Sequence, residues 1–237
     1  STSDVATAFQ PLFDNWKATS RLPVQPLARN AFLNEQIAAW IDDETIRNAL
    51  NSMQETDFET VLDNVPMDLP ETLQSKLLSA VGYPVQTKLL PMEKVRITGR
   101  FPVTPEGGIV SPVLSSENAK HLIEPYIRYL LVHSKINHPA PMTVCFKEKN
   151  RSLESDEIEN PQDKLAKLVT LYMVGHLIPL PLFQDYSPQP KKLTYCSPDR
   201  CFQLIFKDFE SLQNDQAWLM ACEEFAKYAF SPLGNLN

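Results

Sequence analysis

Glycine is scarce in this chain, with six residues among 237. Gly107-Gly108 is the only adjacent pair, and neither a G-x-G-x-x-G turn nor a G-x-x-x-x-G-K loop can be written anywhere, so there is little material for the loops that cradle nucleotide phosphates. The G-x-S-x-G elbow is missing as well, which disfavours serine hydrolases of that class. Cysteine is nearly as rare. Cys145, Cys196, Cys201 and Cys222 fit a reducing compartment better than a disulfide framework, and they predict a cytoplasmic protein. No run of about 18 apolar residues occurs, and the opening Ser-Thr-Ser-Asp has neither the basic region nor the apolar stretch of a signal peptide. The reading is of a chain without a membrane span; its non-methionine start suggests a processed chain or an excised piece.

Positive charge is also in deficit: 22 Lys and Arg face 29 Asp and Glu, a net charge of -7. That balance excludes a surface that attracts nucleic acid over its whole extent, so any DNA contact must be local. What is present is enough apolar material for a core, 43% of the residues, and an unusual 20 prolines.

Val5, Ala8, Phe9, Leu12, Phe13 and Trp16 recur at helical spacing, and Phe32, Ile37, Trp40 and Ile41 suggest a second helix beyond the proline-bearing stretch 21–26. Residues 42 to 71 carry nine acids against one base, Arg47, and read as helical and loop-like, a solvated face or a surface for a basic partner. Glu71 to Ala80 reads as a short helix. From Tyr83 the texture becomes β-branched, and three short strands are expected up to Leu114, with turns at Pro91-Met92 and at Pro105 to Gly108. A long helix follows, with Leu122, Ile123, Tyr126, Ile127, Leu130 and Leu131 on its buried side and Pro125 inside it. "MTVCFKE" is expected as a central strand, being apolar on both faces except at its ends.

Asn160-Pro161 marks another helix start, with Leu165, Leu168, Val169, Tyr172, Met173 and His176 as its buried stripe. The last helix carries Trp218, Leu219, Cys222, Phe225 and Phe230. The order predicts a mixed α/β domain over residues 1–237, in which 1–82 is a mainly helical preface and 83–237 holds a sheet and its helices. The strands between Tyr83 and Phe146 are expected to form one sheet, flanked by the helices near 116–134 and 161–178.

Candidate chemistry is thin. His133 and His138 with Cys145 match no zinc spacing, and Cys196 and Cys201 have no second pair to complete four ligands. His176 reads as a packing or capping residue near a helix C-terminus. Directed positive charge is confined to Lys88, Lys94, Arg96 and Arg100. Lys94, Arg96 and Thr98 alternate along a strand, so one face would carry both cations toward solvent, as a phosphate-contacting strip or an ordinary solvated face.

The strings "RLPVQPLARNAF", "VRITGRFPVTPEGGIV", "LSSENAKHLIEPYIRYLLVHSK", "KLAKLVTLYMVGHLIPLPLFQDYS" and "FAKYAFSPL", taken in order, resemble the C-terminal domain of RecC, the gamma chain of exodeoxyribonuclease V. The likeness spans roughly residues 5 to 235, and the collinear order carries it. It implies the PD-(D/E)XK nuclease-like (restriction-endonuclease-like) fold without its active site. It also implies a role inside a RecBCD helicase-nuclease, where the domain contacts RecB-like and RecD-like motor subunits and helps to part DNA strands. The chain would then be the C-terminal domain of a much longer one, with no cofactor and only weak DNA binding when isolated.

The residues bear on the missing active site independently. Two-metal phosphodiester cleavage needs an acid on one strand, and an acid and a lysine one residue apart on the next, so that they share the face toward metal and phosphate. None of the 14 lysines has Asp or Glu two positions before it. After "ITG" the chain reads Arg100-Phe101-Pro102, and the next strand runs from Ile109 through Ser111 and Val113 to Leu114, so the expected pocket is lined by Phe101, Pro102, Ser111 and Val113 with nothing to hold magnesium. Two other readings stay open: an active metal-dependent nuclease or other hydrolase with a migrated site using Glu106, Glu117 and Lys120, and a protein-binding module unrelated to DNA.

Overall fold

A computed structural model describes residues 41–81, 91–113, 117, 120–178, 180–182, 216–231 and 233. The chain divides into two compact units, residues 1–53 and 54–237. In the first, helix α1 (Glu44–Ser52) starts where the Asp43 carboxylate accepts from the Thr45 and Ile46 amides at 2.9 and 3.2 Å. These are donors that a first helical turn otherwise leaves without partners.

The second unit opens with strand β1 (Gln54–Val65). This corrects, over residues 54–65, the reading of 42 to 71 as helical and loop-like, while the helix at Glu44–Ser52 agrees with it. Acids interrupt the stretch, yet Phe58, Thr60 and Leu62 are buried while Glu59, Val61 and Asp63 are exposed, the period of a strand with one wet face. Helix α2 (Glu71–Val81) intervenes before strand β2 (Met92–Val103), which pairs antiparallel with β1 in a ribbon of unbroken register from Gln54 opposite Val103 to Asp63 opposite Lys94. Phe58 lies across from Gly99. The missing side chain there leaves room for Phe58 to stack on Phe101, with ring centroids 4.9 Å apart and planes 13° off parallel. A Cβ at Gly99 would come within 3.0 Å of the Phe101 ring and 3.2 Å of Leu131.

A tight turn leads from β2 into strand β3 (Ile109–Pro112). Gly107 takes φ +81° in it, and Thr104 closes it from both ends, its amide donating to the Gly108 carbonyl and its hydroxyl accepting from the Gly108 amide, each at 2.9 Å. Helix α3 (Lys120–His133) then crosses over to strand β4 (Met142–Cys145), parallel to β3, and β4 turns back into the antiparallel strand β5 (Asn150–Leu153). The middle position of β4 follows from its composition, since all four residues are buried. The expectation of one sheet is corrected: β1 and β2 form one, and β3, β4 and β5 another, because β2 meets β1 along its length.

Helix α4 (Pro161–Gly175) begins at Asn160-Pro161 as expected, although Asn160 is left-handed (φ 48°) and its side chain makes no cap. Helix α5 (Gln216–Phe230) ends the described fold. One core gathers the inner faces of the ribbon, β3, β4 and α3; a second lies between α2, α4 and α5, around Leu73, Leu77, Leu171, Val174 and Phe225. α4 serves both: Leu165, Leu168, Val169 and Met173 of its expected stripe pack against the first core, and the expectation is corrected at Tyr172 and His176. Leu165, Leu171 and Val174 are buried, while Tyr172 is 67% exposed and His176 lies beside it in solvent. On α3, Ile127 is exposed at 39%, whereas Tyr129 and Val132, absent from the expected stripe, are fully buried. The Ser231 carbonyl, just past α5, accepts from the Tyr126 hydroxyl at 2.8 Å and from Lys164 Nζ at 2.9 Å, tying three helices together.

Truncating the stacked ring tests the ribbon's anchoring. Phe101→Ala is expected to lower unfolding free energy by about 3–5 kcal/mol, whereas Val61→Ala on the opposite face changes it by no more than about 0.5 kcal/mol. Urea denaturation of both variants checks this, and similar midpoints for the two would contradict the packing described.

Candidate functional site

Lys94, Arg96 and Arg100 project from the solvent face of β2, as the alternation predicts, while Lys88 lies outside the described residues. The pairing brings β1's carboxylates to the same face. Asp63 stands opposite Lys94 and Asp57 opposite Arg100. Arg100 Nε lies 3.8 Å from Asp57 and 3.9 Å from Glu55, and Arg96 Nε lies 3.6 Å from Glu59. The strip is therefore a charge ladder in which three cations share a face with four carboxylates. These pairs are exposed and loose, so they add little stability, but they weaken the field that a polyanion would meet.

Two of the four positions expected to line an emptied nuclease pocket, Phe101 and Val113, are occupied with packing. Phe101 is 5% exposed, in the stack on Phe58, and Val113 packs against the same core. Pro102 is half-buried opposite Glu55, and Ser111 is half-buried on β3 beside Val144. Among the described residues no group of three or more His, Cys, Asp or Glu side chains is arranged to hold a metal ion.

The three residues of the migrated-site reading have separate surroundings. Glu106 sits exposed in the β2–β3 turn, where its carbonyl accepts from the Ala140 amide at 2.9 Å. Glu117 is held by two cations, with Arg151 Nε at 2.7 Å and Lys149 Nζ at 2.5 Å. Lys120 opens α3, and its side chain lies outside the described set. Burial pushes the Glu117 pKa up, but hydrogen bonds from Arg151 and Lys149, with their positive charge, outweigh it and hold the carboxyl below its ordinary range.

The other candidates resolve as packing or as exposed loop residues. His133 Nε2 is 3.0 Å from the Ser155 carbonyl, and its ring stands edge-on to Tyr129 at 6.2 Å. His138 is exposed at φ 53°, and Cys145 is buried in β4. His176 meets Tyr172 edge-on at 4.6 Å. Cys196 and Cys201 lie outside the described residues.

Sequence reasoning passed over one charged cluster. Lys147 and Glu148 form the two-residue tip between β4 and β5, since the Phe146 amide donates to the Lys149 carbonyl at 3.0 Å and Cys145 pairs with Asn150. Lys149 and Arg151, two residues apart, share a face and meet at Glu117. The signal was present in "FKEKNRS", three cations within five residues directly after a strand.

The depressed Glu117 pKa has a defined sign in stability. A carboxyl whose folded pKa lies below its unfolded value stabilises the fold above the ordinary glutamate pKa of about 4.3, and that contribution is lost as pH falls through the folded value. The gap in urea midpoint between the natural chain and Glu117→Gln is thus expected to be widest near neutrality and to shrink below about pH 4. A gap of constant size from neutral to acid pH would remove the ionic account of this cluster.

None of the described helices is long and apolar enough to cross a membrane. Comparison with curated proteins and with solved structures yields no match. Comparison with protein families yields the RecC C-terminal domain over residues 5–188, a span that takes in the β1–β2 ribbon, β3, α3, β4, β5 and α4. With well over half of its length matched, the chain belongs to the RecC C-terminal domain family.

Proposed function

We propose that this chain is a non-catalytic domain of a RecC-type subunit, working in the cytoplasm in double-strand-break repair and recombination within a RecBCD-type helicase-nuclease. On this reading residues 1–237 are one PD-(D/E)XK nuclease-like domain of a longer subunit. It contacts RecB-like and RecD-like motor subunits, guides or splits DNA, and binds DNA weakly by itself. The observation that carries the reading is the use made of Phe101. On a sheet that once served metal-dependent cleavage, the positions after "ITG" would present carboxylates to a metal. Here that stretch sends an aromatic ring into the core and stacks it on Phe58. The antiparallel ribbon followed by a parallel β3–α3–β4 crossover is compatible with such an ancestry. Glu117, the one half-buried carboxylate of the rival site, is engaged by two cations instead of being open to a metal.

DNA guidance through Lys94, Arg96 and Arg100 belongs to the same proposal, with contacts made in competition with the carboxylates of β1. Incubation with magnesium or manganese and labelled single- and double-stranded DNA is expected to leave both substrates intact. Co-expression with RecB-like and RecD-like subunits is expected to retain the chain through purification of the assembly. Steady degradation that Glu106→Ala or Glu117→Ala abolishes would replace the proposal with an active nuclease.

A further inference from the structure

The cluster at the β4–β5 tip stands at the carboxyl ends of two parallel strands. β3 ends at Pro112 and β4 at Cys145, and the Val113 amide continues their pairing by donating to the Cys145 carbonyl at 2.8 Å. In open α/β sheets, ligands bind beyond this end of the strands. The hairpin extends directly from it, carrying Lys147 and Lys149 into solvent, with Arg151 behind them. Glu117, in the segment that follows β3, draws Arg151 and Lys149 together. Packing holds the base of the hairpin: Phe146 is 6% exposed, and the His121 ring meets it edge-on at 6.4 Å.

The charge balance separates this surface from the ribbon. Lys147, Lys149 and Arg151 on the hairpin face Glu148 beside them and Glu117 from the segment after β3, three cations against two carboxylates, whereas the ribbon face sets Lys94, Arg96 and Arg100 against Glu55, Asp57, Glu59 and Asp63. In a chain of net charge -7, a local excess of positive charge on a short, fixed hairpin offers a polyanion less repulsion than the ribbon face does.

We infer that the β4–β5 hairpin is a DNA backbone contact, with Lys147 and Lys149 meeting phosphate oxygens and Arg151 held behind them by Glu117. The inference rests on the DNA-handling reading above and adds a surface to it. The contact is electrostatic and without base preference, because no donor or acceptor pattern for base edges is involved.

The test is a fluorescence titration of a labelled oligothymidylate with the full chain at two salt concentrations. It compares the natural chain, Lys147→Glu with Lys149→Glu, and Lys94→Glu with Arg96→Glu. The hairpin variant is expected to bind on the order of 10-fold more weakly, with a log-log salt slope shallower by about 1.4, since each phosphate left unneutralised on a single strand removes about 0.7. The ribbon variant is expected to weaken binding by no more than about three-fold, because the β1 carboxylates already offset its cations. Lys147→Gln with Lys149→Gln removes charge without setting a carboxylate against Glu117, and it should shift binding in the same direction. If the natural chain binds and both hairpin variants bind equally well, or if the ribbon variant is weakened as much, the hairpin assignment is overturned and DNA handling survives. If the natural chain itself fails to bind at low salt, the hairpin contact and the DNA-handling reading fall together.

Discussion

A two-stranded ribbon has one face to bury, and the burial of this one organises much of the second unit. Hydrogen bonds between β1 and β2 do not make such a ribbon stable by themselves, because an isolated hairpin is marginal in water. The inner face supplies what is missing. Phe58 and Phe101 stack across the gap left by Gly99, Leu131 of α3 comes close to the same spot, and Val65 and Val103 extend the apolar strip toward both ends of the ribbon. α3 is drawn onto this surface through Tyr126, Leu130 and Leu131, and the same helix makes the crossover that sets β4 parallel to β3.

The arrangement has an electrostatic consequence. Burying Phe58, Thr60 and Leu62 obliges Asp57, Glu59 and Asp63 to point outward, because side chains alternate along a strand. The register then sets those acids across from the cations of β2. The packing that holds the ribbon to the core thus also shields its positive charge. The hairpin differs because its cations meet at a single shared carboxylate, Glu117, with Lys147 at the exposed tip.

Helix α4 illustrates a related constraint. A helix against one core shows one apolar stripe, but α4 lies between two clusters and contributes to both, Leu165 to the first and Leu171 and Val174 to the second, with Leu168 bordering each. Its apolar positions therefore cover much of its circumference, and a single-stripe reading finds the face toward the first core, Leu165, Leu168, Val169 and Met173, but misses Leu171 and Val174 on the face toward the second. Thr170 sits within this double contact, its hydroxyl donating to the Pro66 carbonyl and so joining the helix to the end of β1.

Much of the local structure was legible in the residues. Alternation along Lys94, Arg96 and Thr98 identified an amphipathic strand, the charge-free "MTVC" the central place of β4, and Asn160-Pro161 the start of α4, since each depends on neighbours a few residues away. The strand at 54–65 was hidden because its acids read as a solvated loop until a partner strand gave its alternate residues something to bury against. That β2 pairs with β1 and not with β3, that Glu117 meets Arg151 and Lys149 from 32 or more residues away, and that the basic strip lies among carboxylates were decided by tertiary structure alone. The reason is physical: periodicity determines which side of an element is apolar, but the charge and packing a side chain meets depend on segments brought beside it by folding, and neither strand's sequence specifies their register in isolation.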